Sequence, residues 1–149
     1  MKNIVITTPK LSDIPTLWKW GEENWELWGD EKYKWFSKKS LGLWLTDPKD
    51  DVLLVAKIGK KLIGMCMNQV NRDSAFNIGF FVEKGYRSQG VGKKLIDESI
   101  KRLRQKGVGF LMLLVDTKNN KARKFYNREG FYQGFKFFMM SKELKGKND

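Results

Sequence analysis

The sequence contains no histidine and only one cysteine, Cys66, among its 149 residues. The absence of histidine excludes Ser-His-Asp and Cys-His catalysis as well as histidine-ligated zinc sites. A single cysteine can form neither an internal disulfide nor a set of thiolate zinc ligands. We therefore predict no metal site, and acid–base chemistry must use Asp, Glu, Tyr, Lys, a chain terminus or water. Cys66 lies in an apolar segment without a motif that supplies a base or cation, which predicts a small buried residue.

Long apolar runs are also missing. The longest, such as residues 110–115, are far too short to cross a bilayer, and residues 1–8 lack the apolar core of a signal peptide. No repeat, low-complexity segment or linker divides the chain, and its length fits one domain over residues 1–149. We therefore expect a single soluble domain in the cytoplasm, with no membrane partner.

The formal net charge of +12 indicates an attraction to polyanions. The partner could be a nucleic acid or a small ligand that carries several phosphates, and charge alone does not choose between them. A nucleic-acid surface would interleave aromatic residues with lysine and arginine. The lysines of residues 93–106 have no aromatic residue on the outer helix face, which makes nucleic acid the weaker alternative.

The apolar periodicity predicts an α/β (α+β) domain with the element order β-α-α-β-β-β-α-β-α-β. This order gives a mixed central sheet of about six to seven strands with helices on both faces. Strands are expected at residues 4–7, 52–58, 62–70, 75–82 and 110–115, with strand–turn–strand over 131–144. The apolar run 110–115 is typical of a central strand that is buried on both faces.

Helix signals occupy the remaining segments. Ser12 or Asp13 is a candidate N-cap for the first helix, and Gly21 is expected to interrupt that helix. The aromatic-rich residues 22–45 are predicted to form one or two helices with a loop around Gly29. Residues 91–106 form an amphipathic pattern that Gly107 ends, and a short helix over 120–128 is ended by Gly130.

The most informative segment runs from the predicted strand 75–82 into the helix that begins near Gly90. The first N–H groups of a helix have no partner within it, and the macrodipole there favours anions. Gly90 and Gly92 carry no Cβ that would hold a phosphate away from the backbone, and Arg87 and Lys93 add positive charge. These features predict a diphosphate site at residues 88–93, although a tight structural connection has a similar composition.

Two other phosphate motifs do not match this segment. A nucleotide P-loop requires glycine where Arg87 stands and serine or threonine where Lys94 stands. The dinucleotide fingerprint requires a third glycine where Leu95 stands. The spacing is instead Arg87-x-x-Gly90-x-Gly92.

This motif, entered from Phe81, Val82 and Tyr86, resembles the acetyl-CoA-binding motif of the GNAT N-acetyltransferases. A second motif is similar to the second cofactor element of that family: Asn119-x-x-Ala122-x-x-Phe125-Tyr126-x-x-x-Gly130-Phe131. Residues 139–144 resemble its last strand, so the resemblance covers nearly the whole chain.

The resemblance implies an acyltransferase that moves the acetyl group of acetyl-CoA directly to a primary amine of a small molecule or peptide. It implies that the backbone of Phe80, Phe81 and Val82 pairs with the pantetheine arm, which Asn119 also contacts. The residues near the pyrophosphate would be Arg87, Ser88, Gln89, Gly90, Val91, Gly92 and Lys93. Tyr126 would act as general acid to the CoA thiolate. Without the resemblance, Tyr126 would be interpreted as a half-buried aromatic residue.

The sequence departs from the family pattern where many relatives carry glutamate, because Asn77 and Leu114 occupy those two positions. The general base therefore stays open between a water chain and a carboxylate such as Glu22, Glu23 or Glu26. Trp25 and Trp28 are candidates for the acceptor groove, with helix packing as the alternative. A CoA-binding regulatory module and a basic nucleic-acid-associated protein are the alternative functions. The acceptor, the acyl-chain preference and the assembly state stay open, and a homodimer is among the options.

Overall fold

The computed structural model describes residues 3–25 and 35–144, which form five strands and four α-helices. The strands are β1 (Ile4–Thr7), β2 (Val52–Ile58), β3 (Lys61–Asn71), β4 (Ser74–Val82) and β5 (Phe110–Met112). The helices are α1 (Ile14–Glu23), α2 (Lys38–Thr46), α3 (Val91–Gln105) and α4 (Asn120–Arg128). None of the helices in these described ranges has the length and apolarity needed to span a membrane.

The strands form one mixed sheet in the order β1-β2-β3-β4-β5. Neighbouring strands are antiparallel except β4 and β5, which are parallel and are connected through α3. The predicted mixed sheet is confirmed, and the described elements run in the order β-α-α-β-β-β-α-β-α. The expectation of six to seven strands is wrong for the described residues, because residues 131–144 pair with no strand and take no regular secondary structure there.

Both faces of the sheet are covered by helices, as the sequence predicts. On one face α3 packs over β2 and β3 through side chains that include Leu54, Ile63, Leu95 and Ile96. On the other face α1 and α2 pack over the alternate residues of the same strands, with Leu17, Leu41, Val55 and Met65 fully buried. The strands with long buried stretches are therefore β2 and β3.

The prediction that residues 110–115 form a central strand buried on both faces is wrong. Only Phe110–Met112 is strand, and it lies at the edge of the sheet. Phe110 is 49% exposed and Met112 is 42% exposed. An uninterrupted apolar run indicates burial on two faces only where neighbouring strands and helices cover it, and β5 has a strand neighbour on one side alone in the described part of the chain.

The parallel contact between β4 and β5 is short, and this creates the opening described below. Only three residue pairs align, from Ser74 with Phe110 to Phe76 with Met112. Next to this contact, β3 and β4 change register between Met67 and Asn68, a β-bulge that bends and twists the strands. Beyond residue 76, the edge of β4 that faces β5 therefore has no strand partner in the described residues.

Gly21 lies inside α1 and does not interrupt the helix as the sequence suggested. A Cβ at this position would overlap the indole ring of Trp35, which is buried against α1. The helix accepts glycine here, despite its poor helix propensity, because the missing side chain makes room for that ring.

We expect Gly21→Ala to lower the free energy of unfolding by roughly 1–3 kcal/mol, because the added methyl overpacks the Trp35 site. A helix-propensity gain of at most about 1 kcal/mol offsets part of this loss. Gly42→Ala in α2 is the matched control, since its Cβ would meet only Ile14 Cδ1, at 3.7 Å, and should leave the protein equally or more stable. Urea denaturation of both variants tests this, and equal midpoints for the two would contradict the packing explanation.

Candidate cofactor cleft

A cleft of about 530 Å³ opens where β4 and β5 diverge. Its walls come from the second half of β4, the first turn of α3, residues 114–116 after β5, and one face of α4. The cleft brings together ten of the predicted site residues from distant parts of the sequence: Phe80, Phe81, Val82, Arg87, Ser88, Gly90, Gly92, Lys93, Asn119 and Tyr126.

Two further residues of the predicted cofactor motif do not line this cleft. Val91 is buried in the core under α3 and anchors the start of that helix. The side chain of Gln89 donates a hydrogen bond to the Gly85 carbonyl, at 3.0 Å, and so stabilises the loop. Their side chains therefore shape the loop and the helix start.

The first turn of α3 presents backbone N–H groups at one end of the cleft. The first helical hydrogen bond runs from the Lys94 N–H to the Gly90 carbonyl, at 3.0 Å, so the N–H groups of residues 91–93 precede it. Gly90 caps the helix with a φ of +81°, a left-handed conformation that favours glycine. A Cβ there would meet no atom within 4 Å, so the space in front of this turn is open. The arrangement suits a phosphate group.

Gly92 has a packing role that the sequence did not suggest. A Cβ at this position would lie 3.2 Å from the Cζ atoms of both Phe80 and Phe125. Those two rings stack with centroids 5.6 Å apart and join α4 to β4. The missing side chain of Gly92 therefore lets this aromatic pair pack against the start of α3.

The two cations expected near the phosphates are engaged by groups of the protein itself. Arg87 Nε donates a hydrogen bond to the Val82 carbonyl, at 2.7 Å, and the guanidinium lies 5.5 Å from the centre of the Phe81 ring. Lys93 Nζ lies 3.0 Å from an Asp97 oxygen and 3.4 Å from a Glu129 oxygen. The hydrogen bond and charge of Asp97, followed by the charge of Glu129, raise the pKa of Lys93. The backbone N–H groups of residues 91–93, which have no partner within the helix, are therefore the hydrogen-bond donors available to an anion.

Asn119 is the N-cap of α4. Its side-chain oxygen accepts a hydrogen bond from the Ala122 N–H, at 3.1 Å, which fixes the first turn of the helix beside the cleft. Because the oxygen is used for capping, the side-chain NH₂ group is the part that can donate to a ligand. The short helix predicted over 120–128 is confirmed.

Tyr126 projects from α4 into an aromatic cluster at the cleft. Its ring centre lies 5.9 Å from that of Phe80, 5.2 Å from that of Phe125 and 5.3 Å from that of Phe131. Burial raises the pKa of the Tyr126 phenol, and the nearby Cys66 raises it further. The hydroxyl is therefore protonated throughout the neutral pH range and can act as a hydrogen-bond donor.

A buried polar cluster, formed by Cys66, Asn68, Asn77 and Ser99, lies beneath the cleft. The Asn77 NH₂ group donates to Asn68 Oδ1 at 2.9 Å and to Cys66 Sγ at 3.3 Å. The Ser99 hydroxyl donates to Cys66 Sγ at 3.2 Å, and the Asn68 NH₂ group donates to Ser99 Oγ at 3.2 Å. The predicted burial of Cys66 is confirmed, and burial raises the pKa of its thiol.

Asn68 and Ser99 were not singled out from the sequence as functional candidates. The available signal was the spacing of two between Cys66 and Asn68, which places both side chains on one face of an otherwise apolar strand. Asn77 links this buried polar cluster to the cleft, because its side chain also forms part of the cleft wall.

Trp20 and Glu83 were also missed, and they lie on the opposite face of β4. The Trp20 ring is buried 5.0 Å from the centre of the Phe81 ring, and its Nε1 donates to Glu83 Oε1 at 3.2 Å. Both line a polar depression of about 390 Å³ that also contains Glu23. In the sequence, the only signal for Glu83 was its position directly after a predicted strand.

The other acceptor and base candidates that the structure describes lie in α1 or just after it. Trp25 is exposed just after α1, and Glu22 lies within α1. Trp28 and Glu26 lie outside the described residues. Leu114 lines the cleft at one of the positions where glutamate is common in relatives. Within residues 3–25 and 35–144, no group of His, Cys, Asp and Glu side chains is placed to hold a metal ion.

Solved structures share this architecture. An aminoglycoside acetyltransferase from an uncultured soil metagenomic sample superimposes with a TM-score of 0.77 at 19% identity, covering 95% of this chain and 97% of the other. The PaiA N-acetyltransferase of Thermoplasma acidophilum, solved in complex with coenzyme A, gives a TM-score of 0.70 at 22% identity, covering 87% and 90%. At these identities the likeness establishes the fold.

Sequence comparison adds the family. The histone acetyltransferase TAP1 of Glycine max is 37% identical over 75 residues, which are 48% of this chain and 30% of that protein. The chain thus spans less than half the length of this curated relative. The model of the acetyltransferase (GNAT) family matches residues 15–131, from α1 to the residue after Gly130. The splayed β4 and β5, the glycine-capped α3 and this match together show that the chain belongs to the GNAT acetyltransferase family.

Proposed function

We propose that this chain is an acetyl-CoA-dependent N-acetyltransferase that moves the acetyl group directly to a primary amine of a small molecule or peptide. The observation that carries the proposal is the composition of the cleft. Among the residues that the structure describes, an edge of β4 without a strand partner and an open helix N-terminus lie in one opening. They suit the two chemically different parts of coenzyme A. The first part is an arm that contains amides, and the second part is a diphosphate.

The diphosphate would bind at the first turn of α3. Backbone N–H groups of Ser88, Gln89, Gly90, Val91, Gly92 and Lys93 supply donors, and the helix dipole adds to their attraction for anions. Arg87 contributes by holding the Val82 carbonyl, which connects the end of β4 to this loop. Lys93 contributes positive charge at the helix start, although two carboxylates share it.

The amide-containing arm would bind along β4. The backbone of Phe80, Phe81 and Val82 lies on the edge that β5 leaves free, so an extended ligand can pair with it as an added strand. The Asn119 NH₂ group lies across the cleft and can donate to a carbonyl of the same ligand. This placement directs the thioester toward Tyr126.

The chemistry is a direct transfer. The neutral amine nitrogen attacks the thioester carbonyl carbon, and a backbone N–H near Val82 stabilises the negative charge that develops on the carbonyl oxygen. The carbon–sulfur bond then breaks, the sulfur takes the Tyr126 proton, and the amine nitrogen loses a proton to water. The Tyr126 phenolate then regains a proton from solvent, which returns the site to its starting state. Burial raises the pKa of Tyr126 above that of an ordinary phenol, which keeps the proton on the phenol until transfer but makes that transfer to the thiolate less favourable.

We propose that solvent removes the amine proton. Asn77 carries no titratable group, and its NH₂ group is engaged by Asn68 and Cys66. Leu114 is apolar, so neither position supplies a base. Trp25 and Trp28 are the residues proposed for the acceptor side, and Glu23 of α1 lines the polar depression. The relatives point to two acceptor classes, protein amines and aminoglycosides, and an acceptor panel should contain both.

Acetyl-CoA is expected to bind saturably to the parent protein, and Gly90→Glu is expected to abolish binding. The glutamate would place a side chain and a negative charge in the open space before α3. Gly90→Ala is the matched control, because it carries the same strain at a φ of +81° without the charge, and should keep most of the affinity. Isothermal titration calorimetry of the folded proteins provides the measurement. A folded parent that does not bind acetyl-CoA would refute the proposed function.

Tyr126→Phe should reduce kcat by roughly 10²–10⁴-fold, the usual contribution of a general acid, while acetyl-CoA affinity stays within about twofold because the ring packing is kept. CoA release with an amine from the panel is the readout for kcat. A variant that retains the parent kcat would assign Tyr126 a packing role. Acetyl-CoA binding without CoA release for any amine tested would instead favour the regulatory module.

The pH profile should rise with pH and show no decline below about pH 10. The rise follows the acceptor, because only the neutral amine attacks and no protein base assists it. The raised pKa of Tyr126 keeps the acid form present below an ordinary phenol pKa of about 10. Measuring kcat/KM against pH with two amines of different pKa tests this, since the midpoint should move with the amine. A midpoint that stays fixed for both amines would indicate a titrating protein base.

A further inference from the structure

Asn77, on β4, has one polar atom that the protein itself does not use. Its side chain is almost fully buried, with 8% of the residue exposed, and its NH₂ group donates to Asn68 Oδ1 and to Cys66 Sγ. Across residues 3–25 and 35–144, no group donates a hydrogen bond to its Oδ1. Because the polar atoms of buried side chains are normally paired, this oxygen is a candidate for contact with a ligand.

The orientation of the Asn77 amide is fixed by a backbone carbonyl, since a carbonyl oxygen can only accept hydrogen bonds. The Asn68 NH₂ group donates to the Val52 carbonyl at 3.2 Å and to Ser99 Oγ at 3.2 Å. Asn68 Oδ1 must therefore face Asn77, which presents its own NH₂ group in return, at 2.9 Å. The Asn77 oxygen then points away from the buried polar cluster and toward the cleft, whose wall Asn77 forms in part.

Asn77 also lies beyond the stretch of β4 that is proposed to bind the amide-containing arm. A strand rises about 3.3 Å per residue, so Asn77 is roughly 16 Å along β4 from Val82, in the direction away from the first turn of α3. Coenzyme A would run in the same direction, from its diphosphate through the arm to the thioester. Tyr126 lies at this end as well, because Cys66 accepts a hydrogen bond from Asn77 and also raises the pKa of Tyr126. The reacting carbonyl is therefore expected close to Asn77.

We infer, on the basis of the proposed function, that Asn77 Oδ1 accepts one N–H of the attacking primary amine and so directs the nitrogen lone pair toward the thioester carbonyl. A thioester carries no N–H of its own, so the amine is the ligand group at this end of the cleft that can donate. The nitrogen bonds to the carbonyl carbon and then carries two hydrogens and a positive charge. Water removes one hydrogen as a proton, and the hydrogen held by Asn77 stays in the product amide.

This contact makes Asn77 a determinant of specificity for primary over secondary amines. A secondary amine has a single N–H, and its hydrogen must leave during the reaction, so it cannot also remain on Asn77. Leu114, which lines the same cleft, is apolar and offers no substitute acceptor. Asn77 takes no proton itself, which separates its role from that of a general base.

The kinetic test compares two acceptors, the primary amine of the panel that gives the fastest CoA release and its N-methyl derivative. The parent should favour the primary amine in kcat/KM by roughly tenfold or more, the usual worth of one hydrogen bond. Asn77→Leu, which is similar in size, should lower kcat/KM for the primary amine by roughly tenfold and leave the value for the N-methyl derivative and the affinity for acetyl-CoA unchanged. Ser99→Ala is the matched control, because it disturbs the same buried polar cluster without removing a contact of Asn77, and it should keep the parent preference.

Two results would overturn the inference. The first is equal kcat/KM for the two amines in the parent, or a preference that Asn77→Leu retains. The second is a loss of acetyl-CoA affinity in Asn77→Leu with the preference unchanged, which would assign the Oδ1 contact to the cofactor arm. A parent that binds no acetyl-CoA refutes the proposed function, whereas a parent that binds it and acetylates both amines equally refutes the role of Asn77 alone.

Side-chain amide NMR of the parent tests the orientation without a variant and without turnover. The Asn77 NH₂ hydrogens face the buried polar cluster, so they should exchange with solvent far more slowly than those of Asn127, which is exposed on α4. Slow exchange at Asn77 supports an oxygen that faces the cleft. Exchange as fast as at Asn127 would show that the NH₂ group faces the cleft instead, and the inference would fail.

Discussion

The divergence of β4 from β5 is the constraint on which the site depends. The two strands share only three residue pairs before they separate. Within the described part of the chain, β4 then continues with one edge bonded to β3 and no strand partner on the other. A β-bulge between Met67 and Asn68 lies where the separation begins, and α3 and α4 border the gap. Full pairing of the two strands would fill the cleft and satisfy the backbone groups on which the proposed cofactor site relies.

Close aromatic packing keeps this opening in shape. Phe80 on β4 stacks on Phe125 of α4, and both rings lie against Gly92 of α3, so one contact ties together three elements that are far apart in sequence. Beneath them the buried polar cluster links β3, β4 and α3 through hydrogen bonds that a purely apolar core would lack. A hydrogen-bonded cluster of this kind makes a core more specific, because other packings would leave its amides unpaired.

Much of this arrangement could be predicted from the sequence, and the errors have physical causes. Local signals in the sequence were sufficient to predict the strands at 52–58 and 75–82 and the helices α3 and α4. They also predicted the glycine at the start of α3. The predictions that residues 110–115 are buried and that Gly21 interrupts a helix were wrong. Both properties depend on what lies beside a residue in space. An apolar run does not reveal whether a strand has neighbours, and a glycine in a helix does not reveal the ring packed against it. The partners of Arg87 and Lys93 were missed for the same reason.

The proposed diphosphate site consists of main-chain atoms, and this limits what natural variation can change. Replacing the exposed Lys93 side chain would leave the N–H groups in front of α3 in place. The positions that cannot vary freely are those whose backbone or packing demands a missing Cβ, namely Gly90 for its left-handed conformation and Gly92 for the two rings beside it. Binding would then persist through extensive surface change, and new acceptors could be acquired by altering the acceptor side around α1.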